Sequence, residues 1–312
     1  PFLGLPPSKV SAVGMCALIM SYFDSGAYRT IGGCQKLVDT LVKGIKKNGG
    51  SMLFNSKASY IPLENNRAIA VRTSDGTEYT ANSVVSNIDF FQTFTRLLDR
   101  DSSNSVIKER LKDPGISSSF FILYIGTDID LKSLYNSSSI GYFPSFNMER
   151  FFESTHSFGD SSSLGITIPT ILDDTMAPRK CHAVSAHEAT DYSFTTLWKD
   201  RKTELSKKIL KKVEKILPGI QEKIIHLEAA TPATLKRYTA NYRGSAYGWQ
   251  QIPGKRLVKS GVSNLYTVGH WGDMGGGVLA SAYSGFKVAR DIILKGEEFN
   301  PLRGKDVHCK RA

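Results

Sequence analysis

One stretch constrains this chain more than any other: Asn264-Leu265-Tyr266-Thr267-Val268-Gly269-His270-Trp271-Gly272-Asp273-Met274-Gly275-Gly276-Gly277-Val278-Leu279-Ala280-Ser281-Ala282-Tyr283-Ser284-Gly285. It reads as a strand, a glycine-rich loop and a helix that continues to about Leu294, which is the grammar of an α/β fold. A loop of this kind presents backbone N–H groups and the positive end of a helix dipole. Its glycines let a flat or anionic ligand come close to the main chain. The small residues Ala280, Ser281, Ala282, Ser284, Gly285 and Ala289 allow the helix to pack tightly. The same glycines also serve ordinary packing of a helix on a sheet. The dinucleotide fingerprint Gly-x-Gly-x-x-Gly does not occur in a strand-to-helix context in this sequence.

With 312 residues the chain has room for two domains with sizeable cores. An apolar share of 41% and a charged share of 22% exclude a disordered, collagenous or disulfide-scaffold protein. The formal charge of +11 favours anionic partners such as nucleic acid, acidic lipid or a phosphorylated cofactor, and equally describes a solvated basic surface. Cys16, Cys34, Cys181 and Cys309 form no Cys-x-x-Cys pair, which argues against a zinc knuckle and for a reducing compartment. The apolar run from Ala12 to Met20 is too short to span a bilayer. The chain opens on Pro1-Phe2-Leu3-Gly4 without an initiator Met, and we expect it to begin inside a longer protein.

Along the chain, Ser8 to Phe23 reads as an apolar helix. Gly32-Gly33 opens a second helix with Leu37, Leu41 and Ile45 on one face, stopped by Asn48-Gly49-Gly50. Strands are expected at Ser51–Asn55, at Arg67–Thr73 and Thr77–Ala81 around an Asp75-Gly76 turn, and at Ser83–Ser86. After Phe90 the texture changes. Phe120–Ile125, Leu164–Ile168 and His182–His187 read as strands between Ser-rich loops such as Ser137–Ser139, a second sheet-based domain inserted into the first. From Asp200 to Leu217 an amphipathic helix carries a Leu205, Ile209, Val213, Ile216 stripe, with Lys207, Lys208, Lys211, Lys212 and Lys215 crowding its other side. That helix is either a solvated face or an attachment to an anionic membrane surface.

Other constellations carry less. His156, His182 and His187, near Cys181 and Glu188, lack metal-ligand spacing, and a strand puts His182 and His187 on opposite faces, so no metal site is expected. No Gly-x-Ser-x-Gly elbow supports a hydrolase. Tyr242, Tyr247 and Trp249 could stack on RNA bases, line an apolar channel or pack in a core. No RNA-binding module accompanies them, so no nucleic-acid partner is expected.

The Gly269–Gly285 motif resembles the flavin-contacting signature of the phytoene desaturase, carotenoid isomerase and retinol saturase family. Three further blocks resemble that family in order: Tyr28-Arg29-Thr30-Ile31-Gly32-Gly33 with Leu37, Leu41 and Gly49-Gly50; Asp75-Gly76 with Val84-Val85-Ser86-Asn87; and Thr231-Pro232-Ala233-Thr234 with Gly244-Ser245-Ala246-Tyr247-Gly248. The family's N-terminal Gly-rich βαβ unit is missing, and Met274 stands where many relatives carry Pro. The resemblance implies an α/β fold: a Rossmann-like FAD-binding domain, incomplete without that βαβ unit, and an inserted α+β substrate domain with a mixed or antiparallel sheet. It implies a helical part of the substrate domain at 1–30, FAD-domain segments at 31–95 and 257–296, the substrate domain at 96–256 and a tail at 297–312. Carried over by position, Gly275, Gly276, Gly277 and Val278 lie along the flavin ring, Gly269 and Asp273 near the ribityl chain, and Ala58 near the adenine. Within this reading Tyr247 and Trp249, the aromatics beside the glycines, are expected to line the substrate channel, with core packing as the other reading.

The implied activity is FAD-dependent desaturation, saturation or cis–trans isomerisation of a long polyene or lipid-like molecule, with no acid or base assigned. An amine oxidase-like flavoenzyme and a non-catalytic membrane- or partner-binding fragment are the alternatives. The chain alone is expected to be inactive, its missing N-terminal segment being a required partner. Cytoplasm and plastid both stay open, with peripheral membrane contact.

Overall fold

Register and parity along two nine-residue strands organise the larger part of this molecule. The computed structural model describes residues 5–98, 107, 112, 115–153, 162–194, 196–250, 252 and 261–294. His156, Cys309, residues 257–260 and the expected tail at 297–312 lie outside the described residues. In chain order the main elements are α1 (Ala12–Ser25), α2 (Cys34–Lys47), β1 (Ala58–Tyr60), β2 (Leu63–Glu64), β3 (Arg67–Ala68), β4 (Ala70–Thr73), β5 (Glu78–Thr80) and β6 (Val84–Ser86). There follow β7 (Ser119–Thr127), β8 (Ser139–Tyr142), β9 (Leu164–Thr167), β10 (His182–Thr190), α3 (Trp198–Ile216), β11 (Ile224–Ala230), α4 (Pro232–Thr239), β12 (Leu265–Thr267) and α5 (Val278–Leu294).

The chain divides into two compact units. The first comprises Pro1–Met52, Ser118–Thr239 and Arg243–Ala246; the second comprises Leu53–Ser117, Ala240–Tyr242 and Tyr247–Ala312. The division therefore falls after Met52, where the family pattern puts it after residue 30, and α2 groups with the first unit.

In the first unit β11, β7, β10, β9 and β8 form one sheet in that order, every neighbouring pair antiparallel. β7 and β10 pair from Ser119↔Thr190 to Thr127↔His182. Successive strand side chains point to opposite faces, and alternate residues of both strands are buried. The buried parity, including Phe121, Leu123, Val184 and Ala186, meets α3 through Leu205, Ile209 and Val213. Each such aliphatic side chain contributes about 1.5–3 kcal/mol on leaving water. The spacing of the α3 stripe produces this packing as expected, with one correction. Lys212, expected on the solvated side, is buried and ion-paired to Glu188 of β10. At i+3 from Ile209 and i+7 from Leu205 it lies on the apolar face.

Two further readings change. Ser51–Asn55 is irregular; Leu53 and Phe54 are exposed and, among the described residues, no strand pairs with them. Ser139, read as loop, starts edge strand β8. α1, capped by the Ser11 hydroxyl accepting from Gly14 N–H, buries no residue.

The second unit holds a three-stranded antiparallel sheet β1-β4-β5 and a two-stranded parallel pair, β6 with β12. At the β4–β5 turn the Asp75 carboxylate accepts from the Thr73 hydroxyl and the Thr77 N–H. These bonds, the Thr73 one foremost, hold its carboxyl below the usual range. The core is aromatic: Phe90, Phe91, Phe94, Trp249 and Trp271 pack with Val84 and Leu265. The parallel pair brings Val84–Ser86 against Leu265–Thr267, so the strand before the glycine-rich loop is fixed by the strand that ends the hairpin region.

Candidate cofactor site

The glycine-rich loop lies between β12 and α5, within the second unit. Its first residue, Gly269, is buried and has φ +72°. A Cβ there would sit 2.0 Å from Asn87 Oδ1, so no other residue fits without moving Asn87. The following turn, Gly269–Trp271, is pinned at Trp271. Trp271 Nε1 donates to Asn241 Oδ1 at 3.0 Å, and its carbonyl accepts from Trp249 Nε1 at 2.9 Å. The two indoles meet edge to face with centroids 5.0 Å apart.

The loop's far end opens. Gly276 passes over the main chain of Tyr247, where an added Cβ would come within 2.7 Å of the Tyr247 carbonyl oxygen. Gly277 has φ +109° and open space around its missing side chain. Ser281 N–H donates to Gly277 C=O at 2.9 Å, so α5 begins there and the N–H groups of Val278, Leu279 and Ala280 have no intrahelical acceptor. Val278 is 70% exposed. The result is a glycine-floored ledge ending in an open helix N-terminus, a place where electron-rich, planar groups are stabilised.

Asp273 makes an ion pair with Lys287, one α5 face turned back to the loop. The hydrogen bond that the Lys287 ammonium donates to the Asp273 carboxylate raises its pKa above the ordinary value. His270 carries a 3.4 Å contact from Nε2 to Asn241 Oδ1, and burial lowers its imidazole. Burial likewise raises the Tyr247 phenol, whose backbone N–H donates to Ser117 Oγ at 2.9 Å.

The structure thus brings Gly269, Asp273, Gly275, Gly276, Gly277, Val278 and Tyr247 into one neighbourhood. Ala58 stands apart on β1, opposite Thr73. Trp249 is a correction: it is fully buried among Phe90, Phe91 and Trp271, a core residue with no surface to offer a substrate. Sequence reading missed Asn87, Asn241 and Lys287 as supports of the loop. Asn87 directly follows the β6 strand, a signal that was present; Asn241 and Lys287 depend on tertiary placement. Among the described residues no cluster of three or more His, Cys, Asp or Glu side chains could hold a metal ion.

In fold the chain is similar to solved oxidoreductases. An oxidoreductase from Methanosarcina mazei matches with a TM-score of 0.64 and 18% identity over 92% of this chain and 61% of its own. Putrescine oxidase bound to putrescine matches with a TM-score of 0.58 and 11% identity over 85% and 53%. In sequence the chain's homologues are carotenoid enzymes. The chloroplastic prolycopene isomerase of Daucus carota is 28% identical over 294 residues, 87% of this chain and 45% of that protein. The neurosporene-forming phytoene desaturase of Rhodobacter capsulatus is 26% identical over 314 residues, 93% of this chain and 58% of that protein. The chain spans about half the length of the curated relatives it matches. No protein-family model matches it.

Proposed function

We propose that this chain supplies the flavin-ring side of an FAD-dependent oxidoreductase that acts on a long, apolar polyene. The observation that carries this reading is the Gly275–Val278 ledge, open above Gly277 and closed below by the Tyr247 main chain. A flat ring fits such a floor because no Cβ rises from it. The residues that would hold the ring are Gly275, Gly276, Gly277 and Val278, with Gly269 and Asp273 by the adjoining chain and Ala58 by the adenine. When bound, FAD supplies a reversible hydride acceptor. The protein's own contribution is electrostatic: the α5 N-terminus favours negative charge on the pyrimidine edge of a reduced ring. The Asp273–Lys287 pair holds the loop against the helix that provides it.

The carotenoid names of the homologues support the polyene. Tyr247, beside the ledge, is the remaining candidate for substrate contact. The amine oxidase alternative needs paired aromatics facing the ring, and a buried Trp249 does not provide one. The phosphates would be held by a Gly-rich βαβ unit contributed from the companion half. Two parallel strands, β6 and β12, are few for a parallel sheet, which is stable with both faces covered and more strands present.

No described helix is long and apolar enough to cross a membrane. The apolar stripe of α3 is spent on its own core, so membrane contact would be electrostatic, through exposed lysines such as Lys207, Lys211 and Lys215. The compartment is plastid or cytoplasm. The test is to express the protein from its full reading frame and record its flavin absorbance. A colourless, folded protein overturns the reading.

A further inference from the structure

The two edges of the five-stranded sheet are protected to different degrees. β8, at one edge, is four residues long, and the Arg29 guanidinium reaches it to donate to Ser139 Oγ at 3.2 Å. β11, at the other edge, is seven residues long, and among the described residues only β7 pairs with it. Short strands and covering segments keep a sheet edge from pairing with another chain, and a long bare edge invites it. A bulge between Ile224 and His226 disturbs only the start of β11. It is seated over Gly126, where an added Cβ would come 3.2 Å from His226 Cβ. Beyond it, His226 to Ala230 keep an unbroken register against β7.

The side chains on this edge are complementary to one another. Ile225 is 58% exposed and Leu227 43%. His226 and Glu228 are exposed as well, and among the described residues neither side chain has a hydrogen-bond or ion-pair partner. Strand alternation puts His226 and Glu228 on one face, with Leu227 and Ala229 on the other. Two copies of one strand pair antiparallel about a two-fold axis when one residue faces itself, and every other contact then occurs twice. A register with Glu228 facing itself sets two carboxylates opposite each other, which is destabilising. A register with His226 facing itself sets two imidazoles together and leaves Glu228 opposite Ile224. A register with Leu227 facing itself sets His226 opposite Glu228 of the second copy on both sides of the axis. The same register sets the bulky Ile225 opposite the small Ala229.

We propose that β11 is a dimerisation edge on which a second copy of this chain pairs antiparallel, Leu227 against Leu227, to join the two sheets into one. The occupant is a second copy because one short segment supplies both halves of the charged pair and both halves of the apolar contact. Main-chain hydrogen bonds along the strand give the attraction, and the His226–Glu228 pairs fix the register. One strand edge from each copy is a small interface, so the association is weak and reversible. Neither the flavin nor the polyene enters this inference, and every residue in it belongs to the first unit.

The test uses the protein expressed from its full reading frame, followed by sedimentation across a concentration series. A reversible monomer–dimer equilibrium is expected. His226→Glu sets carboxylates opposite each other twice and is expected to weaken the dimer by about tenfold or more. Adding Glu228→His to that variant restores the opposite pairs and is expected to restore the dimer. Leu227→Cys, with the other cysteines changed to Ser, brings two sulfurs together at the axis and is expected to give a disulfide-linked dimer on mild oxidation. Melting temperatures check that each variant folds. A protein that stays monomeric at every concentration overturns the proposal, including one whose β11 edge is already covered by another strand. So does a dimer indifferent to His226→Glu, or a folded double variant that stays as weak as His226→Glu. If the double variant does not fold, the Leu227→Cys cross-link decides, and its absence overturns the proposal.

Discussion

Lys212 Nζ donates to a carboxylate oxygen of Glu188 at 2.9 Å inside the first unit's core, with 9% and 2% of the two side chains exposed. Ser162 Oγ accepts a second bond from the same ammonium. The pair joins α3 to β10 within the buried stripe of Leu205, Ile209 and Val213. Burial raises the Glu188 carboxyl, and the charge of Lys212 only partly offsets it. Removing one partner leaves the other uncompensated. Lys212→Met is expected to cost about 3–5 kcal/mol, and Lys212→Met with Glu188→Leu close to nothing or a gain. Urea midpoints at constant slope measure both. A carboxyl whose folded value is raised contributes stability at low pH that is lost as pH rises through that value. The Lys212→Met deficit should therefore be smaller at about pH 5 than at about pH 8. Equal deficits would contradict this account.

Three histidines give the opposite sign. Burial lowers the imidazoles of His182, His187 and His270. Their neutral forms are favoured in the folded state, so their contribution is fully present above the unfolded value, about 6.5, and is lost as pH falls through the folded values. Thermal stability should decline from about pH 6.5 downward. His187→Gln should shallow that decline. A variant that tracks the parent at every pH would show that His187 is not desolvated.

The Lys212–Glu188 pair also marks how far the sequence can be read. Both positions were legible from period alone: Glu188 shares strand parity with Val184 and Ala186, and Lys212 shares the helix face of Leu205 and Ile209. Residue type misled, because a lysine is ordinarily solvated. The strand–glycine loop–helix unit was legible because its glycines answer a local backbone demand, and α2 because caps and spacing agree. Ser51–Asn55 misled in the other direction. Its apolar Met52-Leu53-Phe54 run has strand propensity, but no described strand lies beside it. β8 and β11 were missed because a short edge strand with Ser139 and Gly141, and one with exposed His226 and Glu228, lack the apolar run that announces a central strand. Trp249 was ambiguous because an aromatic beside glycines serves a channel or a core equally.

Gly276 and Gly277 separate space from strain. At Gly276 a side chain meets the Tyr247 main chain, which cannot swing aside like a rotamer. Gly276→Val in the full-length protein should abolish flavin retention. At Gly277 the surroundings are open and only φ +109° opposes a Cβ. Gly277→Ala should cost roughly 1 kcal/mol in stability and weaken flavin retention less. Absorbance ratios of the purified variants measure this. Normal flavin content in Gly276→Val would remove the ledge from the site.

The 312-residue chain alone should bind FAD weakly. FAD carries two phosphates, and the N-terminus of a helix after a glycine-rich turn is their usual counter-charge. The one open helix start in the loop region, that of α5, is assigned to the ring edge. Contacts to the ring and near Ala58 do not replace charge-assisted phosphate bonds, which are about twice as strong as neutral ones. The same chain exposes apolar surface that a globular protein ordinarily covers. On α5 Leu279 is 81% exposed and Phe286 61%, and Ser284 is its only buried residue. Val85 of β6 is half exposed beside a sheet of two strands. Such faces and open strand edges recruit partners. In light scattering the chain should self-associate, and charged substitutions at Leu279 and Phe286 should shift it toward monomer. In an FAD titration it should not saturate at low micromolar cofactor. A soluble monomer that binds FAD tightly and stoichiometrically would mean that the residues present already form a complete site.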